Sequence, residues 1–80
     1  MKMEAEVSLY PLTEEILEHP VHDFEDVLKK HGCEIDVGPM SLVVKGESTE
    51  VFKALRLGYE QAAQKSGCVL IIKACNACAL

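Results

Sequence analysis

The apolar residues of this chain switch between a period of two and a period of three to four, and the order of those switches constrains the fold more than any single motif. Met3, Ala5, Val7 and Leu9 alternate with Glu4, Glu6, Ser8 and Tyr10, the pattern of a strand with one buried and one wetter face, and Pro11 closes it. From Thr13 the spacing becomes helical. Val21, Phe24, Val27, Leu28 and His31 recur at three and four, so they form one stripe toward the core. Pro20 suits a first helical turn, which makes "TEEILEH" a short turn of its own, and Gly32 stops the helix after Lys29, Lys30 and His31. A short strand, Cys33 to Val37, leads into "VGPMS", a turn in which Gly38 is expected to take unusual dihedrals and Pro39 fixes the next residue. "SLVVKG" then returns antiparallel, because the link is too short for a crossover.

Ser48 is the expected cap of a second helix, with Glu50 in its first turn. Val51, Leu55, Tyr59 and Ala62, with Phe52 and Ala63, make its predicted buried side, and Gly67 ends it. The last strand, Cys68 to about Cys75, is apolar enough along its length to be expected well covered. Strand, helix, strand, strand, helix, strand, joined by right-handed crossovers, predicts an α+β ferredoxin-like βαββαβ sandwich. It has a four-stranded antiparallel sheet with the first and third strands central and two helices on one face.

Eighty residues, 49% of them hydrophobic, are expected to form one domain spanning 1–80, and a core this small gains from packing on a second copy. A homodimer or homotetramer is therefore expected. The net charge of −5 argues against nucleic acid, which needs a basic surface to release counterions. The longest apolar stretch, Val69 to Ile72, is far short of the roughly 20 residues that span a bilayer, so no membrane role and a cytoplasmic location are expected.

Four cysteines without an export signal are expected to be free thiols, with Cys33 and Cys68 filling the core. The terminal Cys75-x-x-Cys78 lacks the helix N-terminus that a redox pair requires. It is half a zinc site, and His31 and Cys33 are the residues that the topology would allow to complete it. The plainer expectation is no metal, no cofactor and no catalytic residue. His19 and His22 read as solvated first-turn residues and His31 as a partner of the helix dipole. Neither Ser8 nor Ser41 has a histidine placed to activate it, so the chain does not read as an enzyme.

The sheet face without helices carries Glu4, Glu6, Ser8, Tyr10, Ser41, Val43 and Lys45, a mixture suited to an oligomer interface or a ligand floor. Glu6 is expected beside Lys45 across the strands. As an ion pair it would be structural; as a sheltered carboxylate it would accept hydrogen bonds from a ligand amino group.

"VSLYPL" on the first strand, "GPMS" before the third, "VFKAL" in the second helix and "NAC" at the end, in this order, resemble the YkoF-related family of thiamine- and hydroxymethylpyrimidine-binding domains. The likeness runs from Ala5 to Cys78. It implies a non-enzymatic binder of thiamine or its pyrimidine moiety, and, carried over from the family's polar motifs, ligand-binding positions at Ser8, Tyr10, Met40, Ser41 and Asn76. Glu6 joins them as partner of an amino group. The chain departs from the family where "MST" becomes Met40, Ser41, Leu42 and where "SNACP" has Cys75 in place of serine and Ala79 in place of proline. The topology also sets Tyr10 and Ser41 at one end of the sheet and Asn76 at the other, so one site would use both only with a partner subunit. An ACT-like oligomeric module that binds an amino acid or a partner protein is the alternative.

Overall fold

The computed structural model describes residues 1–12 and 19–77. Its elements are β1 (Lys2–Pro11), α1 (His19–Lys30), β2 (Glu34–Val37), β3 (Leu42–Glu47), α2 (Ser48–Lys65) and β4 (Cys68–Cys75). The strands form one antiparallel sheet in the order β2-β3-β1-β4, the ferredoxin-like α+β arrangement expected, with β1 and β3 central. The expected short turn "TEEILEH" lies mostly outside the described residues.

Alternation decides which face is dry. Met3, Ala5 and Val7 on β1 and Leu42 and Val44 on β3 are buried together with Phe24 and Leu28 of α1 and Val51, Ala54 and Leu55 of α2. A fully buried side chain of this kind contributes about 1.5–3 kcal/mol, so the register that puts Val7 and Val44 inward is strongly favoured over one shifted by a residue. Val7 stands opposite Leu42, Ala5 opposite Val44 and Glu4 opposite Lys45.

Helix ends depart from the expected chemistry in two places. Gly32, at φ 78°, closes α1 as predicted: its N–H donates to Lys29 O at 3.0 Å and that of Cys33 to Leu28 O at 3.1 Å, the pair of bonds that satisfies the last carbonyls. Ser48, however, is the first helical residue and not the cap; Glu47 holds that position, with no side-chain hydrogen bond to the helix. The Ser48 N–H instead donates to Met1 O at 2.8 Å. α2 ends at Lys65, and Ser66 rather than Gly67 terminates it in extended backbone.

Gly38 does not take a positive φ. Its glycine is required by proximity, since its N–H donates to Ser41 O at 2.8 Å and an added Cβ would lie 2.9 Å from that same oxygen. The buried side of α2 is Val51, Ala54, Leu55, Gly58 and Ala62, while Phe52 and Ala63 face outward, Phe52 being 50% exposed. β4 is not well covered either: Val69, Ile71 and Ile72 are all partly exposed, because this strand lies at the sheet edge beyond the shelter of the helices. No helix among the described residues is long and apolar enough to cross a membrane.

Candidate ligand-binding site

β1 runs on past its neighbour. Its pairing with β3 stops at Val7 opposite Leu42, whereas its pairing with β4 continues through Ser8, Leu9 and Tyr10 to Pro11 opposite Cys68. Residues 8–11 are thus paired on one side only, and the side they leave open faces the β2–β3 turn. Gly38, Pro39 and Met40 make the turn from the edge strand β2 into β3, and a gap remains between that turn and residues 8–11. The gap is a cleft of about 190 Å³, floored by Val7, Ser8 and Leu9, with the turn residues Val37 to Leu42 on one side and Val21, Phe24 and Glu25 of α1 on the other. Sites for drug-sized ligands span about 300–1,000 Å³, so this volume suits one small ring better than two.

Of the six residues predicted to bind ligand, the cleft brings together Ser8, Met40 and Ser41. Met40 is 83% exposed and forms part of the rim. Tyr10 stands on the helix-free face opposite Val69, 47% exposed. Glu6 lies on the same face but lower, lining a shallow depression with Glu4, Val43, Lys73 and Cys75. Asn76 is at the far end, beside Met1, Met3, Phe52 and Ala74, so the separation foreseen from the topology is present within one chain.

The expected Glu6–Lys45 pair is not formed. Glu6 stands opposite Val43 on one side and Lys73 on the other, and it is Lys73 Nζ that approaches Glu6 Oε1, at 3.8 Å. Lys45 faces Glu4 and reaches Asp36 Oδ2 at 3.8 Å. With side chains 81% and 54% exposed, the Lys73–Glu6 pair is well hydrated, which removes the shelter that would fit Glu6 for a ligand amino group.

The acid that sequence reading missed is Glu25. Its side chain is only 15% exposed, and among the described residues the basic side chain paired with it is His22, whose Nδ1 lies 4.0 Å away and whose ring is 67% exposed. A helical period marks Glu25 merely as a neighbour of the core stripe; that it lines one cleft with the β2–β3 turn is a matter of tertiary packing.

The thiols divide. Cys33 is buried and free, its Sγ 3.9 Å from Glu50 O; burial, with the Glu50 carboxylate adding to it, pushes its thiol pKa up. Burial also raises Cys68, which is free and half-buried. Cys75 is disulfide-bonded, contrary to the expectation of free thiols throughout. The proposed grouping of His31 and Cys33 with Cys75 fails on strand order. β2 and β4 occupy opposite edges of the sheet, about 14 Å apart at three strand spacings, and Cys75 shares the helix-free face with Glu4 while Cys33 belongs to the core. Cys78 is outside the described residues.

A family model described as thiamine-binding protein matches residues 5–75. Among solved structures, a hypothetical protein from Methanocaldococcus jannascii superposes with a TM-score of 0.86 at 25% identity, over 94% of this chain and 79% of that one. A protein from Streptococcus pneumoniae gives 0.85 at 22% identity, over 94% and 86%. A protein from Thermotoga maritima, assigned provisionally to thiamine biosynthesis or salvage, gives 0.81 at 20% identity, over 92% and 82%. No curated protein sequence matches the chain.

Proposed function

Because the chain belongs to the thiamine-binding protein family, whose model covers residues 5–75, we propose that it is a non-enzymatic binding protein for thiamine or its hydroxymethylpyrimidine moiety. The observation that carries this reading to a place in the fold is the one-sided strand at residues 8–11. A strand edge presents backbone donors and acceptors in a plane, and a flat heterocycle with its own donors and acceptors can complete that plane much as an added strand would. Val21, Phe24 and Pro39 offer apolar walls to the ring, and Ser8 and Ser41, whose side chains alternate to the helix-free face, offer a donor and an acceptor each from the other side of the gap. The volume fits the pyrimidine. The rest of thiamine would then extend past the Met40 rim toward solvent or toward a second copy of the chain.

In this reading the protein is a cytoplasmic homo-oligomer. Tyr10 and Asn76 serve the ligand only where a second copy brings its own face or chain end to the cleft, since within one chain they lie apart from it. Calorimetric titration with thiamine and with hydroxymethylpyrimidine tests the proposal. Wild type should bind, and Ser8→Ala or Ser41→Ala should each weaken binding severalfold, as loss of one neutral hydrogen bond of about 0.5–1.5 kcal/mol requires. Absence of heat from either compound up to millimolar concentration would refute it.

A further inference from the structure

We infer that Glu25 is the residue that selects an amino-bearing ring over its oxo counterpart in the cleft between α1 and the β2–β3 turn. The inference rests on the binding reading above and adds to it the group that decides which heterocycle is accepted.

Three features of Glu25 lead to it. The side chain is 15% exposed, against 54% for Glu6, 54% for Glu47, 57% for Glu60 and 71% for Asp36, so of these acids it is the one largely withdrawn from water. A carboxylate in that position loses hydration and regains it only from a cation or from hydrogen-bond donors. Among the described residues the one basic group within 4.0 Å of it is His22, at 4.0 Å, which is beyond hydrogen-bond length and on the exposed side. Asp23, two residues earlier, is by contrast bonded to Lys65 of α2. Finally, Glu25 lines the cleft itself, together with Val21 one turn before it, so its unused acceptor capacity is directed where a ligand ring would lie.

An ionised carboxylate only accepts hydrogen bonds. Facing it, an exocyclic amino group donates, and the contact is of the stronger, charge-assisted kind. A carbonyl at the same ring position would set two acceptors against each other, and the site would reject it, since a buried polar group left without a partner costs more than a good bond contributes. The chemical class is therefore a small N-heterocycle bearing an amino group. The role first given to Glu6 passes to Glu25, because Glu6 is more than half exposed and already faces Lys73.

The test exploits a difference in chemistry that a merely structural residue would not carry. Wild type, Glu25→Gln and Glu25→Asp are titrated with hydroxymethylpyrimidine and with its oxo analogue, in which a carbonyl replaces the amino group. Folding of each variant is checked by circular dichroism. Wild type should prefer the amino compound by about tenfold or more, as expected for a charge-assisted bond exchanged for an unpaired acceptor. Glu25→Gln, whose amide both donates and accepts, should lose most of that preference, and Glu25→Asp should keep its direction. An unchanged preference in folded Glu25→Gln, or wild type that binds both compounds equally, overturns the role of Glu25 and leaves the binding function standing. Wild type that binds neither compound overturns both.

Discussion

At the scale of single residues, the glycine with the least room for a side chain is Gly58, which lies against Phe24. The two helices cross where Gly58 leaves room for the ring, and a Cβ there would lie 2.7 Å from Phe24 Cδ1 and 3.1 Å from Cε1. Alanine in a helix interior is worth about 1 kcal/mol over glycine, so on propensity alone Gly58→Ala would stabilise. Steric crowding opposes it: Phe24 is 1% exposed and packed within the core, and relief would require moving a buried ring. Overpacking of this sort costs about 1–3 kcal/mol, which exceeds the propensity gain at most of its range. Urea denaturation should therefore find Gly58→Ala less stable than wild type, and a raised midpoint would mean that Phe24 yields more easily than its burial implies. Phe24 also walls the proposed ligand cleft, so the same variant should perturb binding if the proposal holds. Glu25, the next residue, illustrates what a sequence hides at this scale. The spacing of three and four identifies Phe24 and Leu28 as core, but a residue flanking that stripe is assigned to water by default, and its place in the cleft beside the β2–β3 turn is a matter of tertiary packing.

At the scale of elements, the ends and edges separate what local chemistry specifies from what tertiary placement decides. Gly32 is a case of the first: two lysines, a histidine and a glycine read as a helix stop, and the observed φ of 78° with its two closing hydrogen bonds is that stop. Nothing lies within 4 Å of a Cβ added there, so the cost of Gly32→Ala is conformational alone. A left-handed residue other than glycine costs about 1–2 kcal/mol, and Asn tolerates the region better than Ala. Thermal unfolding should rank wild type above Gly32→Asn and Gly32→Asn above Gly32→Ala; equal melting temperatures would argue against a left-handed requirement. The α+β order and the inward set Met3, Ala5, Val7 and Val44 are legible for the same reason, since alternation is a local pattern with one reading per face, whereas the register of β1 on β3 is not: Glu6, expected beside Lys45, stands opposite Val43, because a slip of two residues keeps every side chain on its face. β4 was not. Val69, Leu70, Ile71 and Ile72 form an unbroken apolar run, which does not distinguish a strand covered on both faces from an edge strand with partners still to find. The helix-start rule misses at Ser48 by one residue: Glu47 takes the cap position without a side-chain bond, and the Ser48 N–H, one of the helix's open donors, is satisfied by the Met1 carbonyl, a contact between residues far apart in sequence. The candidate site was half legible: Ser8, Met40 and Ser41 meet in the cleft, whereas Glu6 and Asn76 belong to other surfaces because the strand order, not their chemistry, decides their neighbours.

At the scale of the whole molecule, the two sheet edges are built differently, and the difference bears on assembly. β2 is four residues long and carries Glu34 and Asp36, the short, charged form that discourages pairing. Antiparallel self-pairing about Ile35 would set Glu34 against Asp36 of the second copy, and pairing about Asp36 would oppose that residue to itself. β4 is eight residues long with one charge, Lys73. Self-pairing about Ile71 puts Lys73 against Val69 of the second copy, so no like charges meet; Ile71, 53% exposed on the helix-free face, meets its own copy, and Ile72, 39% exposed on the helix side, meets Leu70. A two-fold contact of this kind closes on itself, and two four-stranded sheets become one of eight strands. A pairing of β4 with the β2 of another copy would instead extend without closure and would match only four residues. The homo-oligomer proposed above is therefore expected to include the β4 edge. Light scattering at tens of micromolar should return a multiple of the 8.8 kDa chain for wild type. Ile71→Lys, which places two ammonium groups face to face at the two-fold, should reduce that mass by half while circular dichroism stays native. Val37→Lys, on the already charged edge and at a side chain 62% exposed, should leave it unchanged. A monomeric wild type, or an Ile71→Lys protein of undiminished mass, would remove β4 from the interface and leave its apolar edge to be explained by some other partner.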